Sequence, residues 1–465
     1  MSVDPTTAPA PPDAPRWRLP HPIVLLTAGV LIAATLTWVI AAGEFDRRQD
    51  PITGRMVVVA GTYHRVAPAP VGFFQALMAI PRGFTEAASV IATVFLAGAA
   101  FLVVERTGAL HWAVDRLAAL LRDRGALVIP VTSLVFATFG ALENMQEEII
   151  ALVPVLVLLT RRFGYDAVVA VAISVGAAAI GASFSPINPF QVGIAQKLAS
   201  LPALSAGGFR LAFLLLALAA WIVGTLRYAR RTAPAAAVAQ TPAGSASTAA
   251  ASRGSRGLVL LLVVVTFLAY VIGVIELGWG FDELSALFLA MGLIAGLLGR
   301  LGLAGTAEAF VDGFRAMAYA ALLIGFARGI YVVLEQGHIV DTIVNGLFTP
   351  LARLPVAMAA FGMMAVHTAL HVPVPSVSGQ AVLTMPVLVP LSDLLGISRQ
   401  VTVLAYQYGA GLCELITPTN GALMAVLAAS GVAYERWLRF VVPLYLVLFA
   451  TGLLAVGVAM AINLP

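Results

Sequence analysis

The chain has 465 residues, of which 60% are apolar and 11% are charged, and its mean hydropathy is +0.96. A soluble domain cannot hide that much apolar surface, so these values indicate a polytopic membrane protein. The single cysteine, Cys413, excludes a disulfide framework and a multi-cysteine metal site. The net charge of +4 comes from arginines clustered in loops, which indicates membrane topology rather than nucleic-acid binding.

Residues 1–20 are rich in Pro, Ala and Thr and predict a disordered N-terminal tail. Seven apolar stretches follow, each with about the 20 residues that a helix needs to cross a bilayer. They are 22–42, 86–105, 209–229, 257–276, 283–300, 316–336 and 437–461. The loop 44–85 contains the β-prone run Met56–Ala60, which predicts a small extracellular hairpin.

Four further apolar stretches are interrupted near their middle. The stretches 126–160 and 355–394 have arms that are short for a full crossing, and they predict re-entrant hairpins. The stretches 167–200 and 399–431 predict spans that are unwound part of the way across. The segment 232–256 predicts a flexible cytoplasmic linker between a first membrane half, 21–231, and a second, 257–465.

Loop arginines predict the orientation of the chain, because they are enriched on the cytoplasmic side. Those between 106 and 124, at 161–162, between 227 and 256, and at 436 and 439 share one side if the N-terminus is cytoplasmic. The loop 44–85 also carries arginines, although this orientation places it outside; long loops obey the rule poorly. The prediction is a multi-pass protein of the bacterial inner membrane.

Two matching motifs predict that the halves are repeats. Ser185-Pro-Ile-Asn188 and Thr417-Pro-Thr-Asn420 are offset by 417 − 185 = 232 residues, and the same offset aligns Pro154 with Pro386. The predicted orientation runs equivalent spans in opposite directions, so the repeats have inverted topology. The predicted fold class is therefore an all-α polytopic membrane protein with two inverted-topology repeats, re-entrant hairpins and discontinuous helices.

The paired motifs are the first candidate binding residues. An unwound segment in a membrane frees carbonyl groups and helix ends, which need protein, water or a ligand as partners. Helix N-termini suit a carboxylate, and the oxygens of Ser185, Asn188, Thr417 and Asn420 suit a carboxylate-bearing substrate or Na⁺. The alternative is that these side chains only cap helices.

The tips of the two predicted hairpins differ in charge. The second tip contains Ser376, Ser378 and Gly379, whose hydroxyls and amides could form an anion cradle; a structural tight turn is the alternative. The first tip contains Glu143, Glu147 and Glu148. These acids could carry protons, bind a coupling cation or contact a substrate ammonium group, or they are simply solvated at the surface.

Three other features lie within the apolar segments. Arg328 is a lone mid-span charge, with Glu335 or a substrate carboxylate as its expected partner. Glu414 precedes the second motif and is a candidate coupling carboxylate. His367 and His371 have the spacing of a metal-binding pair, but no Asp, Glu or Cys stands beside them, which favours helix packing or a proton-sensitive contact.

Several longer motifs carry a resemblance to a known family. They are Pro375–Pro386, Gly396–Gln400, Tyr406–Gly409, Thr417–Met424, Asn188–Gln196 and Gly325–Ile330. The sequence resembles the C4-dicarboxylate anaerobic carrier family, and especially its YfcC branch, from about residue 22 onward. It departs from the family pattern at Val377 and Ala410, where Gly and Asp are typical.

The resemblance implies an ion-transporter-superfamily fold that works by alternating access coupled to Na⁺ or H⁺. It implies carboxylate and ion binding at the hairpin tips and unwound segments, here Ser185, Asn188, Ser376, Ser378, Thr417 and Asn420. A homodimer is compatible with it. Relatives are described as dicarboxylate carriers or basic amino-acid antiporters, so the substrate stays open at this point.

The predicted function is a secondary transporter of a small carboxylate-bearing solute, either symporter or antiporter. The acidic first tip favours an amino acid or short peptide, and Arg328 favours a C4-dicarboxylate. A passive channel is the alternative from another class. No P-loop, G-x-S-x-G or H-E-x-x-H pattern occurs, so an enzyme is not predicted, and no cofactor beyond a coupling Na⁺ or H⁺ is expected.

Overall fold

A computed structural model describes residues 21–49, 56–120, 125–143, 146, 148–202, 204–238, 253–277 and 279–464. Within these ranges, eight helices are long and apolar enough to cross a membrane. They are Pro22–Val39, Ala88–Arg106, Gly125–Leu142, Gly207–Thr232, Phe281–Leu298, Gly302–Gln336, Val377–Leu395 and Tyr434–Ala461. The predicted class of all-α polytopic membrane protein is confirmed.

The first half is built from helices, with two small strand pairs after the first helix. The helices are α1 (Pro22–Val39), α2 (Phe73–Glu86), α3 (Ala88–Arg106), α4 (Ala109–Leu120), α5 (Val128–Glu143), α6 (Ile149–Arg162), α7 (Ala167–Val171), α8 (Ala177–Ser183), α9 (Ile194–Leu198) and α10 (Gly207–Val238). A π-helical turn joins α7 to α8, and another at Pro189–Gly193 leads into α9. A 3₁₀ turn at Gly125–Leu127 precedes α5.

The second half is all-helical apart from short turns. Its helices are α11 (Arg253–Ile272), α12 (Phe281–Leu298), α13 (Gly302–Gln336), α14 (Val340–Phe348), α15 (Val356–Leu370), α16 (Val377–Leu395), α17 (Arg399–Cys413), α18 (Gly421–Ser430) and α19 (Tyr434–Ala461). A π-helical turn, Gly273–Leu277, follows α11, and a 3₁₀ segment, Thr349–Arg353, follows α14. The inverted relation between the halves stays a prediction.

Each half contains one helix pair and one interrupted helix. We call the pair α5/α6 hairpin 1 and the pair α15/α16 hairpin 2. The interruption at 184–188, between α8 and the turn that leads to α9, is the first break. The interruption at 414–420, between α17 and α18, is the second break. Both breaks fall where the sequence predicts unwinding.

The hairpin arms differ from their prediction. Gly125–Leu142 has 18 residues and Val377–Leu395 has 19, and both are apolar enough to cross a bilayer. The expectation that every arm is too short was therefore wrong for one arm of each hairpin. The counterpart arms α6 and α15, with 14 and 15 residues, are shorter.

Local chemistry sets the ends of several helices. Side chains of Asp166 and Ser398 accept hydrogen bonds from the first-turn amides of α7 and α17. Gly396 and Gly431 adopt φ values of 69° just after α16 and α18. That left-handed conformation favours glycine, so each helix stops at a residue that can make the turn.

Hairpin 1 packs closely against the first interrupted helix. A Cβ added to Gly140 of α5 would overlap the carbonyl oxygen of Ala178, and one added to Gly181 of α8 would overlap that of Ala137. In the second half, a Cβ on Gly409 of α17 would overlap the carbonyl oxygen of Met364 in α15. Glycine at these positions lets the helix backbones touch, as small residues do in membrane helix pairs.

The loop between α1 and α2 contains the expected β-hairpin. Strand β2 (Arg47–Gln49) pairs antiparallel with β3 (Met56–Val58), with Arg47 opposite Val58. A second pair joins β1 (Gly43–Glu44) to β4 (His64–Arg65). Strand β3 contacts α16, so this loop reaches the second half of the chain.

The predicted tail and part of the predicted linker lie outside the described residues, at 1–20 and 239–252. The helix α10 continues to Val238, and α11 begins at Arg253. The segment that connects the helices is therefore shorter than the predicted linker, 232–256.

Candidate functional site

At the first break, the side chains of Ser185 and Asn188 donate hydrogen bonds to the backbone of hairpin 1. Both are fully buried. The Ser185 hydroxyl donates to the Ala141 carbonyl at 2.7 Å and accepts from the Asn188 amide at 2.8 Å. The Asn188 side chain donates to the Gly140 carbonyl at 2.8 Å and caps the following turn at Gln191. Their hydrogen-bonding groups are engaged with backbone, which matches the capping alternative.

At the second break, Thr417 and Asn420 have different surroundings. The Thr417 hydroxyl donates to the Cys413 carbonyl at 2.8 Å, within one turn of chain. Asn420 caps α18 by accepting from the Leu423 amide at 3.2 Å. Its amide group also donates to the Gln146 side chain at 3.2 Å and to the Glu414 carbonyl at 3.3 Å.

The tip of hairpin 1 contacts both breaks. Gly140 and Ala141 accept hydrogen bonds from the first break, whereas Gln146 contacts the second. Gln146 also donates from its side chain to the Glu414 carboxylate. Asn188 and Asn420 therefore both bond to a single tip, at positions only 146 − 140 = 6 residues apart.

Of the predicted acidic site residues, the structure describes the side chains of Glu148 and Glu414. Glu148 and Glu414 are both buried, with 6% and 7% of their surface exposed. The side chain of Glu143 and all of Glu147 lie outside the described structure. Buried carboxylates are costly in a membrane protein, and Glu148 and Glu414 stay predicted coupling residues.

A cavity of about 650 Å³ brings together four of the predicted substrate-binding residues. Hairpin 2, the second break, α13, the α2–α3 junction and β2–β3 all contribute to its wall. The polar and charged residues that line it are Arg47, Glu86, Arg328, Tyr331, Ser376, Thr419 and Asn420, with Gly379 and Gly421 beside them. Ser185, Asn188, Ser378 and Thr417 are not among its lining residues.

Arg328 is the central charge of this cavity. Its Nε donates to the Glu86 carboxylate at 2.8 Å, and its guanidinium lies 4.8 Å from the centre of the Tyr331 ring. The side chains of Arg328 and Glu86 are 40% and 35% exposed, so both can be reached from the cavity. Glu335 was predicted as the protein partner of Arg328, and this prediction was wrong. The carboxylate that accepts a hydrogen bond from Arg328 is that of Glu86.

At the tip of hairpin 2, two of the predicted anion-binding residues bond to each other. The Ser376 hydroxyl accepts from the Gly379 amide at 3.1 Å and so caps α16. This bond occupies one hydroxyl and one amide of the predicted cradle. Ser376 and Gly379 still face the cavity, next to the N-terminus of α18 at Asn420 and Gly421.

A second arginine of the cavity secures the β2–β3 hairpin. Arg47 lies 3.0 Å from the Asp341 carboxylate of α14, which also accepts from the Phe45 amide at 2.9 Å. Asp341 is 3% exposed, whereas Arg47 is 40% exposed. The ion pair therefore fixes the β2–β3 strands to α14 and leaves part of the Arg47 guanidinium accessible.

His367 and His371 are both buried in hairpin 2. His367 contacts the Met363 carbonyl and, at 3.0 Å, the Thr384 hydroxyl, and His371 lies 2.9 Å from the Gln380 amide. Among the described residues, no group of three or more His, Cys, Asp or Glu could hold a metal ion. The contacts of the two rings fit helix packing.

Sequence reasoning missed Glu86, Arg47 and Arg210. Glu86 stands at the edge of the predicted span 86–105, and Arg210 stands inside the predicted span 209–229. The signal that singled out Arg328, a charge in an apolar segment, applies equally to Arg210. Their partners lie far away in the sequence, so the pairing itself had no local signal.

The arrangement suits a small zwitterion or dianion. Arg328 and the N-terminal end of α18 offer positive charge and N–H donors to a carboxylate. Glu86, which is hydrogen-bonded to Arg328, offers a carboxylate to an ammonium group. The two sites share one cavity, whose volume lies within the range typical of small-molecule sites.

Known proteins resemble this chain along nearly its whole length. The profile of the C4-dicarboxylate anaerobic carrier family, DcuC, matches residues 19–461. A protein of Escherichia coli K12 named "Putative basic amino acid antiporter YfcC" is 32% identical, over 91% of this chain and 93% of its own length. An uncharacterized protein of Haemophilus influenzae is 28% identical, over 96% and 98%.

Two solved structures show a more distant similarity. The Alcanivorax borkumensis YdaH transporter is 19% identical with a TM-score of 0.45, covering 96% of this chain and 99% of its own. Neisseria gonorrhoeae MtrF, from a class of antimetabolite efflux pumps, is 15% identical with a TM-score of 0.40, covering 94% of each chain. These scores are too low to establish a shared fold. The family assignment depends on sequence: the chain is a multi-pass membrane transporter that belongs to the C4-dicarboxylate anaerobic carrier family.

Proposed function

We propose that this chain is an ion-coupled secondary transporter of an amino acid or short peptide. The observation that carries the proposal is the Arg328–Glu86 pair, which places both signs of charge within reach of one cavity. The name of the Escherichia coli relative, a putative basic amino acid antiporter, supports an amino acid. The proposed location is the bacterial inner membrane, with a cytoplasmic N-terminus and the cavity reached from outside.

The proposed binding mode exchanges one ion pair for two. The substrate carboxylate binds Arg328 and the N-terminus of α18 near Asn420, and the ammonium group binds Glu86. Each protein charge keeps an opposite charge beside it, so opening the pair leaves no charge unpaired. Charge-assisted hydrogen bonds of this kind contribute roughly 1.5–3 kcal/mol each.

The proposed coupling group is Glu414. Asn420 lines the cavity and donates to Gln146, which in turn donates to the Glu414 carboxylate. A proton or Na⁺ at Glu414 would change the hydrogen bonds of Gln146 and so the position of Asn420. Glu148, also buried, is the second candidate, and Glu143 and Glu147 remain predictions from sequence.

A C4-dicarboxylate is the second candidate substrate. Two partly exposed guanidiniums, Arg47 and Arg328, line the cavity and could each bind one carboxylate. The description of the family supports this reading. Glu86 would then be a repulsive neighbour rather than a ligand, which separates the two candidates experimentally.

The test is uptake into proteoliposomes of the purified protein with labelled arginine, alanine, a dipeptide and succinate, with imposed Na⁺ or H⁺ gradients. We expect concentrative, gradient-dependent uptake of an amino acid or dipeptide. Uptake that only equilibrates the solute would indicate a passive channel, and uptake of succinate alone would indicate the dicarboxylate carrier.

The variant Glu86→Gln distinguishes an amino-acid transporter from a dicarboxylate carrier. It preserves the size of the side chain and removes the proposed ammonium site, so amino-acid uptake should fall at least tenfold. For a dicarboxylate, removing a negative charge should leave uptake unchanged or raise it. Glu335→Gln is the matched control, because Glu335 does not line the cavity.

A further inference from the structure

Two ion pairs at the cavity of about 650 Å³ differ in what they offer to a ligand. In the pair Arg328–Glu86, both side chains are partly exposed. In the pair Arg47–Asp341, the guanidinium is partly exposed, whereas the carboxylate is buried and is not among the lining residues. The Asp341 oxygens accept from the Arg47 guanidinium and the Phe45 amide. Of the described charges, a ligand in this cavity therefore meets two cations and one anion.

The two cations flank one tyrosine of the cavity wall. The Arg328 guanidinium lies 4.8 Å from the centre of the Tyr331 ring, and Tyr331 also interacts electrostatically with Arg47. The contacts of Arg47 with Asp341 and with the Phe45 carbonyl use its two terminal nitrogens. A guanidinium carries five N–H groups, so donors remain for a second carboxylate. One small ligand can therefore place a carboxylate on each arginine.

The complement of two cations and one anion is a ligand with two carboxylates and one ammonium group. A neutral amino acid brings no charge for Arg47, and a C4-dicarboxylate brings none that Glu86 can bind. A basic side chain would add a third cation beside the two arginines, which is unfavourable because like charges repel. An acidic amino acid, in contrast, gives each of the three exposed charges an opposite partner, and such matching is a source of specificity.

The apolar part of the wall suits a short methylene chain. It includes Val90, Ile324, Ala327, Val382 and Leu383. Apolar walls with a few charged groups are typical of small-molecule sites, and they strengthen the interactions of those charges by excluding water. The methylene groups that join the two carboxylates of an acidic amino acid can pack against these side chains.

We propose that the solute is an acidic amino acid, of the size of aspartate or glutamate, and that Arg47 selects it by binding the side-chain carboxylate. The α-carboxylate binds Arg328 and the ammonium group binds Glu86, as in the binding mode proposed above. This inference rests on the proposed transport function and narrows its substrate. It makes Arg47 a specificity-determining residue, which Asp341 anchors to α14.

Ligands that differ by one group test the charge pattern. L-glutamate carries all three charges, L-glutamine lacks the second carboxylate, and glutarate lacks the ammonium group; L-aspartate, L-asparagine and succinate form the shorter series. Binding to the purified full-length protein is measured from the rise in melting temperature with ligand concentration. We expect, in at least one series, a dissociation constant at least tenfold lower for the acidic amino acid than for either analogue. Equal affinity for acid and amide in both series would overturn the proposal.

The variant Arg47→Gln tests the assigned residue. It should remove the preference for the acidic amino acid over its amide, because that preference depends on the guanidinium. Arg48→Gln is the matched control, since Arg48 is the next residue of β2, is exposed and is not among the lining residues of the cavity. An unchanged preference in Arg47→Gln, or an equal loss in both variants, would contradict the assignment.

A double variant covers the case in which Arg47→Gln does not fold. The single change leaves the buried Asp341 carboxylate without its cation, which is costly. Arg47→Gln combined with Asp341→Asn removes both charges of the pair, so no buried charge loses its partner. The double variant should show the same loss of preference, and a preserved preference there would refute the role of Arg47.

Uptake and binding together separate this inference from the proposed function. If proteoliposomes concentrate alanine, arginine or a dipeptide in preference to aspartate and glutamate, the transport function stands and the acidic substrate fails. If no solute is taken up but an acidic amino acid binds in a manner that depends on Arg47, the transport function fails and the assignment of the cavity stands. If there is neither uptake nor binding, both fail.

Discussion

At the residue scale, Asn188 and Asn420 occupy equivalent places in the sequence but different places in the molecule. Asn188 is 0% exposed and its side chain bonds to backbone groups, whereas Asn420 is 8% exposed, lines the cavity and bonds to the Gln146 side chain. The same residue type in the same motif thus bonds to the backbone in one half and lines the cavity in the other.

This difference gives a prediction. Asn188→Ala should remove three hydrogen bonds from buried groups and lower stability, by about 1–3 kcal/mol, while the folded fraction keeps its uptake. Asn420→Ala should lower uptake per folded molecule at least tenfold, because it also cuts the contact to Gln146. Melting temperatures and uptake normalised to folded protein measure both. Equal loss of normalised uptake in the two variants would contradict the assignment.

Four cavity residues could be predicted because each has a local sequence signal. Asn420 belongs to a Pro-containing motif, Arg328 is a lone charge in an apolar segment, and Ser376 and Gly379 form a small polar turn. Sequence could not assign partners. Arg328 bonds to Glu86 across 242 positions and Arg210 to Gln407 across 197. Contacts at such separations depend on how helices pack, which no local pattern encodes.

At the element scale, hairpin 1 joins the two halves. Its tip bonds to both breaks, and its helix α5 lies against α8 with Gly140 and Gly181 at the closest approach. Interruptions in apolar stretches predicted the hairpins and both breaks. The arm lengths and the π-helical turns were not predictable, because hydropathy does not distinguish an α-helical turn from a π-helical one.

Gly140→Ala should destabilise the protein. The added Cβ would overlap the backbone oxygen of Ala178, and overpacking of this kind costs about 1–3 kcal/mol or more when backbone must move. Gly346→Ala in α14 is the control, since nothing lies within 4 Å of its Cβ position. That change should be neutral or stabilise by up to about 1 kcal/mol. Thermal unfolding in detergent compares them, and an equal melting temperature for both would refute the close packing.

At the scale of the whole molecule, composition alone established the class, and loop arginines gave an orientation. Six of the eight candidate spans of the described residues were predicted from hydropathy, the other two are hairpin arms, and the span predicted at 257–276 is not among the eight. The cavity was not predicted, because it forms where hairpin 2 and α13 meet the β2–β3 strands, which lie more than 200 residues earlier in the sequence.

The orientation can be measured directly. Met56, which is 56% exposed on β3, should react as Met56→Cys with a membrane-impermeant maleimide in intact cells. The exposed Arg231 of α10 should react as Arg231→Cys only after lysis. The native Cys413 is buried, and a Cys413→Ser background removes it. Labelling of Arg231→Cys, but not Met56→Cys, in intact cells would invert the topology.

The shared tip of hairpin 1 has a thermodynamic consequence. In the proposed mechanism a substrate at Asn420 and an ion at Glu414 are linked, because both residues are bonded to Gln146. Linkage is reciprocal: the factor by which bound ion raises the affinity for the solute equals the factor by which bound solute raises the affinity for the ion. Binding titrations of the solute with and without the ion, and of the ion with and without the solute, should therefore give the same coupling factor.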